Sequence, residues 1–509
     1  MPAPAPLAAL VIALAPPPPA TPAATLATPT RAGLTLAWRR FDHAVSTLDL
    51  SDEQFLEAGL AFDRASAALL RGGPTAVYRG ILEATDALLL DNPDAPAAVA
   101  ARTLRLRMDP PVFIRGDTQP PRLRFDRFFE TDAPAEPVAL TVRLIPTPPH
   151  AGDAPVAAST FNILATPSGP PPDPLLCPIP DGGFAPGRYT VEICLPDAAG
   201  CRVSATWTVV PTRPETVRDR IAAAIDDLER KGRLADPALS RAAAVLRSRN
   251  ALLTSNPSTN DPAHLDADLS RLPDQLTQEL AALESGRNPY ANYPGHLWRT
   301  VRIADADVPV RMFNPPPPPG EAAAPPRPLV IALHGAGGDE STFPEAYGDG
   351  IITRLAAQHG FVLAAPRTGP FAADPAFFDG LLAAITADYT IDPARIYVLG
   401  HSLGSGVTGA WAAARADRIA AAACIAGFTA FDPEQRTCPT LVVVPGRDGL
   451  IKPTRVINAA RAAAAAGAPI EPLFLPDQTH TLVVGTILPE VIPWLLKHEL
   501  SDAPDPPAR

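Results

Sequence analysis

The chain has 509 residues, too many for one ordinary core, so roughly two to four domains are expected. It is 46% hydrophobic and 19% charged, the composition of a folded globular protein. A net charge of −11 speaks against a nucleic-acid partner and against a basic membrane-binding face. Proline is in excess, with 65 residues. Lysine occurs only at Lys231, Lys452 and Lys497, so nearly all the basic residues are arginine. Such a bias has the look of GC-rich coding, and these residue types are not read as functional signals.

Residues 1–30 form a leader. Leu7–Leu14 is an apolar run of signal-peptide length, and Ala13-Leu-Ala15 offers a small-x-small cleavage site. That pattern predicts export, periplasmic or extracellular. The other reading is a disordered Pro/Ala leader, because no basic residue precedes Arg31 and Pro16 follows the site. The run is too short to span a bilayer, and no later stretch reads as a transmembrane segment.

Residues 31–94 read as a helical region. Asp49 or Ser51 can cap a helix reaching about Leu70, with Asp52 and Glu53 in its first turn. Phe55, Leu56, Leu60, Phe62 and Leu69 supply its apolar side. A second helix follows Gly72-Gly73-Pro74 and ends at Asp91-Asn-Pro93. Residues 95–211 change character. Thr103–Met108, Val138–Ile145, Ser159–Leu164, Arg188–Leu195 and Arg202–Val210 alternate with Pro/Gly/Asp turns, as in a β-sandwich. Cys194 and Cys201 flank a turn and can face each other across a hairpin, as a disulfide or as two buried thiols. None of the five cysteines, Cys177, Cys194, Cys201, Cys424 and Cys438, has zinc-ligand spacing. This module resembles the accessory immunoglobulin-like modules of bacterial extracellular proteins. A spacer role fits it better than carbohydrate binding, since no aromatic platform is visible.

Residues 212–289 read as a helical connector, with helices at Glu215–Lys231 and Asp261–Glu284, the second interrupted by Pro273. Residues 290–500 read as one α/β domain, and 501–509 as a disordered tail. Trp298–Ile303 and Val308–Phe313 open the domain as an antiparallel pair, and a polyproline stretch follows at Pro315–Pro319. From Leu329 the pattern is strand–helix–strand. The strands Leu329–Leu333, Phe361–Ala365, Ile396–Leu399, Ile419–Ala426, Thr440–Val444 and Ile470–Leu475 are mostly continuous apolar runs, as strands covered on both faces must be. This predicts a doubly wound, mostly parallel sheet with its chemistry at the carboxyl ends of the strands.

The strand ending at Leu399 runs straight into Gly400-His-Ser-Leu-Gly404, and a helix follows. Strand, G-x-S-x-G and helix together make a nucleophile elbow with Ser402 at its tip. A serine hydroxyl needs a base, and the base an orienting acid, in the order Ser, Asp, His in this fold. Asp448 lies in Pro445-Gly-Arg-Asp-Gly449 after one strand, and His480 in Pro476-Asp-Gln-Thr-His480 after the next. Asp432 is the alternative acid. Asp477 is read as shaping its loop, His334 as ordering the glycine turn, His359 as closing a helix, and His401 as pointing away from Ser402. The oxyanion hole needs two donors. They are assigned to the backbone N–H groups of Leu403 and of Ala336 in His334-Gly-Ala-Gly-Gly338, with Gly337 next.

These motifs, in this order, resemble an α/β-hydrolase of the esterase type, similar to carboxylesterases and polyhydroxybutyrate-depolymerase-like enzymes. The resemblance covers residues 290–500 only. It implies a serine hydrolase acting on a small-molecule or polymeric carboxylic ester through an acyl-enzyme on Ser402, with no metal and no cofactor. A prolyl-oligopeptidase-type peptidase is the second reading, although Ser402-Leu-Gly-Ser405 departs from its usual motif. A non-catalytic binding protein on the same scaffold is the third. Only Phe428–Pro439 separates two late strands, which leaves little chain for a lid and predicts short or soluble esters.

Overall fold

The structure, a computed structural model, describes residues 26–68, 73–132, 136–147, 158–168, 171–177, 179, 183–196, 201–317, 325–427 and 437–500. The apolar run Leu7–Leu14, Leu69, Pro318 and Pro319, Asp432, most of Phe428–Pro439 and the tail lie outside them. Four helices come first: α1 (Arg31–Thr47), α2 (Asp52–Ala67), α3 (Gly73–Leu89) and α4 (Pro96–Thr103). Strands follow: β1 (Leu104–Asp109), β2 (Val112–Ile114), β3 (Arg122–Arg127), β4 (Val138–Pro146), β5 (Ser159–Ala165), β6 (Leu175–Leu176), β7 (Gly187–Cys194) and β8 (Cys201–Val210). Next are α5 (Pro214–Arg230), α6 (Pro237–Asn250), α7 (Pro262–Asp266) and α8 (Leu272–Glu284). The remainder runs β9 (Gly295–Ile303), β10 (Ala306–Asn314), β11 (Arg327–Leu333), α9 (Ile351–His359), β12 (Val362–Pro366), α10 (Pro375–Thr386), β13 (Ile391–His401), α11 (Leu403–Ala414), β14 (Ala421–Ile425), β15 (Thr440–Pro445), α12 (Pro453–Ala465), β16 (Ile470–Leu475) and α13 (Val483–Leu496). No helix among the described residues is long and apolar enough to cross a membrane.

The chain divides into two compact units. The first is made of the described residues within Met1–Phe41, Ala68–Ile221 and Ala251–Gln275; the second of those within Asp42–Ala67, Ala222–Asn250 and Leu276–Arg509. The two expected helical regions are therefore not segments of their own. Each is shared out between the units, because a helical period shows that a face is buried but not against what.

In the first unit a five-stranded sheet, β2-β8-β7-β4-β5, and a three-stranded sheet, β1-β3-β6, enclose one core. Strict alternation builds it: Leu104, Leu106 and Met108 of β1 and Leu123 and Phe125 of β3 meet Leu140, Val142, Val191 and Trp207. The first strand, expected over Thr103–Met108, runs Leu104–Asp109, and residues 96–103 before it are the helix α4. Cys194 and Cys201 oppose each other across β7 and β8 and are joined as a disulfide. Asp86 of α3 is buried between Arg102 of α4, at 3.0 Å, and Arg202 of β8.

In the second unit eight strands form one sheet, ordered β9-β10-β12-β11-β13-β14-β15-β16. The β9/β10 and β10/β12 pairs are antiparallel, and every pair from β12 to β16 is parallel. Residues of β12, β14 and β15 are buried throughout, so helices cover both faces. Helix α2 belongs to this unit. It opens with a capping box: Ser51 Oγ accepts the Gln54 N–H, and Gln54 Oε1 accepts the Ser51 N–H. Its buried face is Ala58, Gly59, Phe62, Asp63 and Ala65, whereas Phe55, Leu56 and Leu60 are only half-buried. The expected helical stretch Asp261–Glu284 is broken at residues 267–271, and Pro273 lies in the first turn of α8 where the helix resumes and its missing N–H costs nothing.

Asp42 of the second unit is buried, with Oδ2 accepting the Asp349 N–H at 2.8 Å. Burial, reinforced by the nearby Asp349 carboxylate, raises its pKa to about 7. The native chain then holds a proton that the unfolded chain has already lost between about pH 4 and 7, so stability falls as pH rises through that window. We expect the loss to be at most about 4 kcal/mol and to disappear in Asp42→Asn. Denaturation midpoints at about pH 5 and about pH 8 check it, and an unchanged pH dependence in the variant would refute it.

Candidate active site

Four loops at the carboxyl ends of β11, β13, β15 and β16 carry the residues singled out by sequence. β13 is buried from Ile396 to His401, and α11 starts at Leu403. Between them Ser402 has φ 52° and ψ −113°, a strained conformation for a residue with a side chain. The flanking glycines are sterically required. A Cβ on Gly400 would lie 2.3 Å from the Gly404 carbonyl oxygen, and one on Gly404 would lie 2.1 Å from that of Leu333. The Ser402 N–H donates to Ile425 O at 2.9 Å, tying the turn to the end of β14. Ser402 is partly exposed, and its Oγ makes no hydrogen bond among the described residues.

Asp448 and His480 meet. His480 Nδ1 lies 2.7 Å from Asp448 Oδ2, with both side chains almost fully buried. Asp448 Oδ1 accepts the N–H groups of Leu450 and Ile451 at 2.8 and 2.7 Å. The carboxylate is thus fixed by its own loop before it orients the imidazole. An acceptor-only carboxylate requires the proton on Nδ1 and leaves Nε2 free to take one. Asp477, by contrast, is exposed and lies 3.6 Å from Arg447 in the adjoining loop.

The loop His334-Gly-Ala-Gly-Gly338 lies against the elbow, since a Cβ on Gly335 would come within 3.3 Å of Ser402 Cβ. Ala336 and Gly337 are exposed, Gly337 with φ 81°. Leu403 is the first residue of α11, so its N–H is one that a helix cannot pair internally. His334 braces this loop: Nε2 accepts the Thr368 N–H at 3.0 Å, so Nδ1–H donates to Gly335 O at 2.8 Å. Glu340, fully buried, receives a two-pronged contact from Arg367 and a bond from Trp298 Nε1 at 2.9 Å. His359 ends α9 before Gly360, which has φ 74°.

Two further residues reach this site in roles that the sequence does not assign to them. The His401 imidazole is buried and bonded through both nitrogens. Its Nε2–H donates to the His480 carbonyl at 3.0 Å, and its Nδ1 accepts from the Tyr347 hydroxyl at 2.6 Å. Burial, with His480 nearby, holds the His401 imidazole neutral, well below its ordinary pKa. Asp63 comes from α2, far away in sequence: Oδ2 accepts the His480 N–H at 2.8 Å and Oδ1 the Thr481 N–H at 3.2 Å. Its one detectable hint is an Asp four residues after Gly59 beside an apolar stripe, a spacing that puts both on one helix face.

The strand order, with its antiparallel second strand and its elbow after the central strand β13, defines the α/β-hydrolase fold. No protein-family model matches the chain, and no curated protein does. Among solved structures it is similar to a thermostable esterase, at 22% identity and TM-score 0.32 over 40% of this chain and 63% of that one. It thus spans under two thirds of that relative. It is also similar to S-formylglutathione hydrolase from Staphylococcus aureus, at 14% identity and TM-score 0.35 over 40% of this chain and 96% of that one. A third is the hyperthermophilic esterase of the archaeon Pyrobaculum calidifontis, at 18% identity and TM-score 0.32 over 41% and 83%. At such scores the fold rests on this chain's own topology.

Proposed function

We propose that the chain is a serine hydrolase that cleaves carboxylic esters. The buried Asp448–His480 pair, whose loop is bonded to His401 next to the strained Ser402, is the observation that carries this reading. Ser402 attacks the ester carbonyl while His480 Nε2 takes its proton. Asp448 keeps the imidazole in the Nδ1–H form and stabilises the imidazolium. The N–H groups of Leu403 and Ala336, with Gly337 next, hold the oxyanion; each such donor is worth roughly 3 kcal/mol of barrier. His480 then protonates the leaving alcohol, and water releases the acid from the acyl-enzyme by the same route reversed.

Residues 95–211 serve as an immunoglobulin-like spacer, and the ester is a small molecule or a polymer. Export supplies the oxidising compartment in which the Cys194–Cys201 disulfide persists. The short Phe428–Pro439 connection supports a site open to short, soluble acyl groups.

A p-nitrophenyl ester series from acetate to octanoate tests the reading. We expect the short esters to be turned over fastest, without activation at a lipid interface. Interfacial activation would contradict the open site, and cleavage of peptides with no ester turnover would contradict the ester assignment.

A further inference from the structure

The peptide that carries the candidate base is gripped from two sides. Its N–H is taken by Asp63 and its C=O by His401. Asp63 also takes the next N–H, that of Thr481, and is only 2% exposed. Helix α2 comes this close because position 59 is glycine: a Cβ there would lie 2.2 Å from Thr479 Oγ1. Gly59 and Asp63, one turn apart, therefore set the helix directly on the loop 479–481. A buried carboxylate bonded to two backbone N–H groups holds them in one geometry, because neither oxygen has another place to go without losing a charged hydrogen bond.

We infer that Asp63 is a positioning residue for catalysis, fixing the His480 main chain so that the imidazole is aimed at Ser402; this rests on the serine-hydrolase reading. It does not touch the substrate and acts only through His480. Burial holds the Asp63 carboxyl above the ordinary carboxylate range, and its attraction to His480 works against that rise. The groups facing His480 are Asp63 from α2, Asp448 from the loop after β15 and His401 from β13, its ring centroid 4.8 Å away.

The test is Asp63→Asn in the full chain, assayed on a short p-nitrophenyl ester. We expect kcat to fall about 10- to 100-fold with KM within about twofold. Unchanged kcat, or a loss carried by KM with kcat kept, would overturn the inference. Hydrogen exchange on the wild type reads the same contact even where the variant fails to fold. The His480 and Thr481 amides should be strongly protected, and exchange at the rate of an exposed loop would overturn it. Wild type that neither turns over esters nor reacts with a fluorophosphonate at Ser402 would instead bring down the serine-hydrolase reading, leaving the exchange result to stand on its own.

Discussion

Ser402→Ala is expected to lower kcat for a short p-nitrophenyl ester by about 10⁴- to 10⁶-fold while leaving the fold intact. Ser402 is partly exposed and its hydroxyl makes no hydrogen bond among the described residues, so its loss removes the proposed chemistry and almost no packing. His480→Ala should cost nearly as much, and the double variant little more, because nucleophile and base act as one unit. Asp448→Asn is the more informative change. Its Oδ1 can still receive the Leu450 and Ile451 N–H groups, so the loop keeps its shape. The new amide then donates to His480 Nδ1 and forces the proton onto Nε2, where it blocks the base, at a cost of about 10³- to 10⁴-fold. Steady-state kinetics with circular dichroism as a fold control check all four. Activity in Ser402→Ala within tenfold of wild type would remove Ser402 from the mechanism.

Glu279→Ala should be the most damaging single change to the second unit. Glu279 of α8 and Arg249 of α6 are both buried and paired through two hydrogen bonds of 3.0 and 3.1 Å. The Tyr290 hydroxyl donates to the same carboxylate at 2.6 Å, and Arg249 Nη1 donates to Trp298 O in β9. Removing the carboxylate leaves a buried guanidinium without its counter-charge, which costs about 3–5 kcal/mol. Replacing both partners, as in Arg249→Met with Glu279→Leu, should recover most of that loss, because no unpaired charge remains. Chemical denaturation of the single and double variants tests this. A single variant within about 1 kcal/mol of wild type would show that the pair is not what holds α6 and α8.

The chemistry-bearing half of the fold is legible in the sequence because its strands are buried on both faces. Runs such as Leu329–Leu333 and Thr440–Val444 have no polar partner to confuse the period, and each ends in a loop that carries a candidate site residue. The glycines of the elbow are readable for the same kind of reason: the turn leaves no room at 400 and 404. Other features are hidden by composition. β3, Arg122–Arg127, alternates Leu123 and Phe125 with arginines, and in a chain this rich in arginine it looks like a charged loop. α4 is masked by the alanines and proline that crowd the whole chain. Asp63 is hidden by distance, since it meets His480 across 417 positions of sequence. Helical periodicity locates α2 but reports nothing about its partner. Its half-buried Phe55 and Leu56 stand out in the sequence more than the small residues that pack.

Fluorophosphonate labelling followed by peptide mass mapping tests the central claim most directly. The account predicts one covalent adduct, on Ser402, formed quickly in the wild type and lost in His480→Ala. An adduct on another serine, or none on a folded chain, would contradict it.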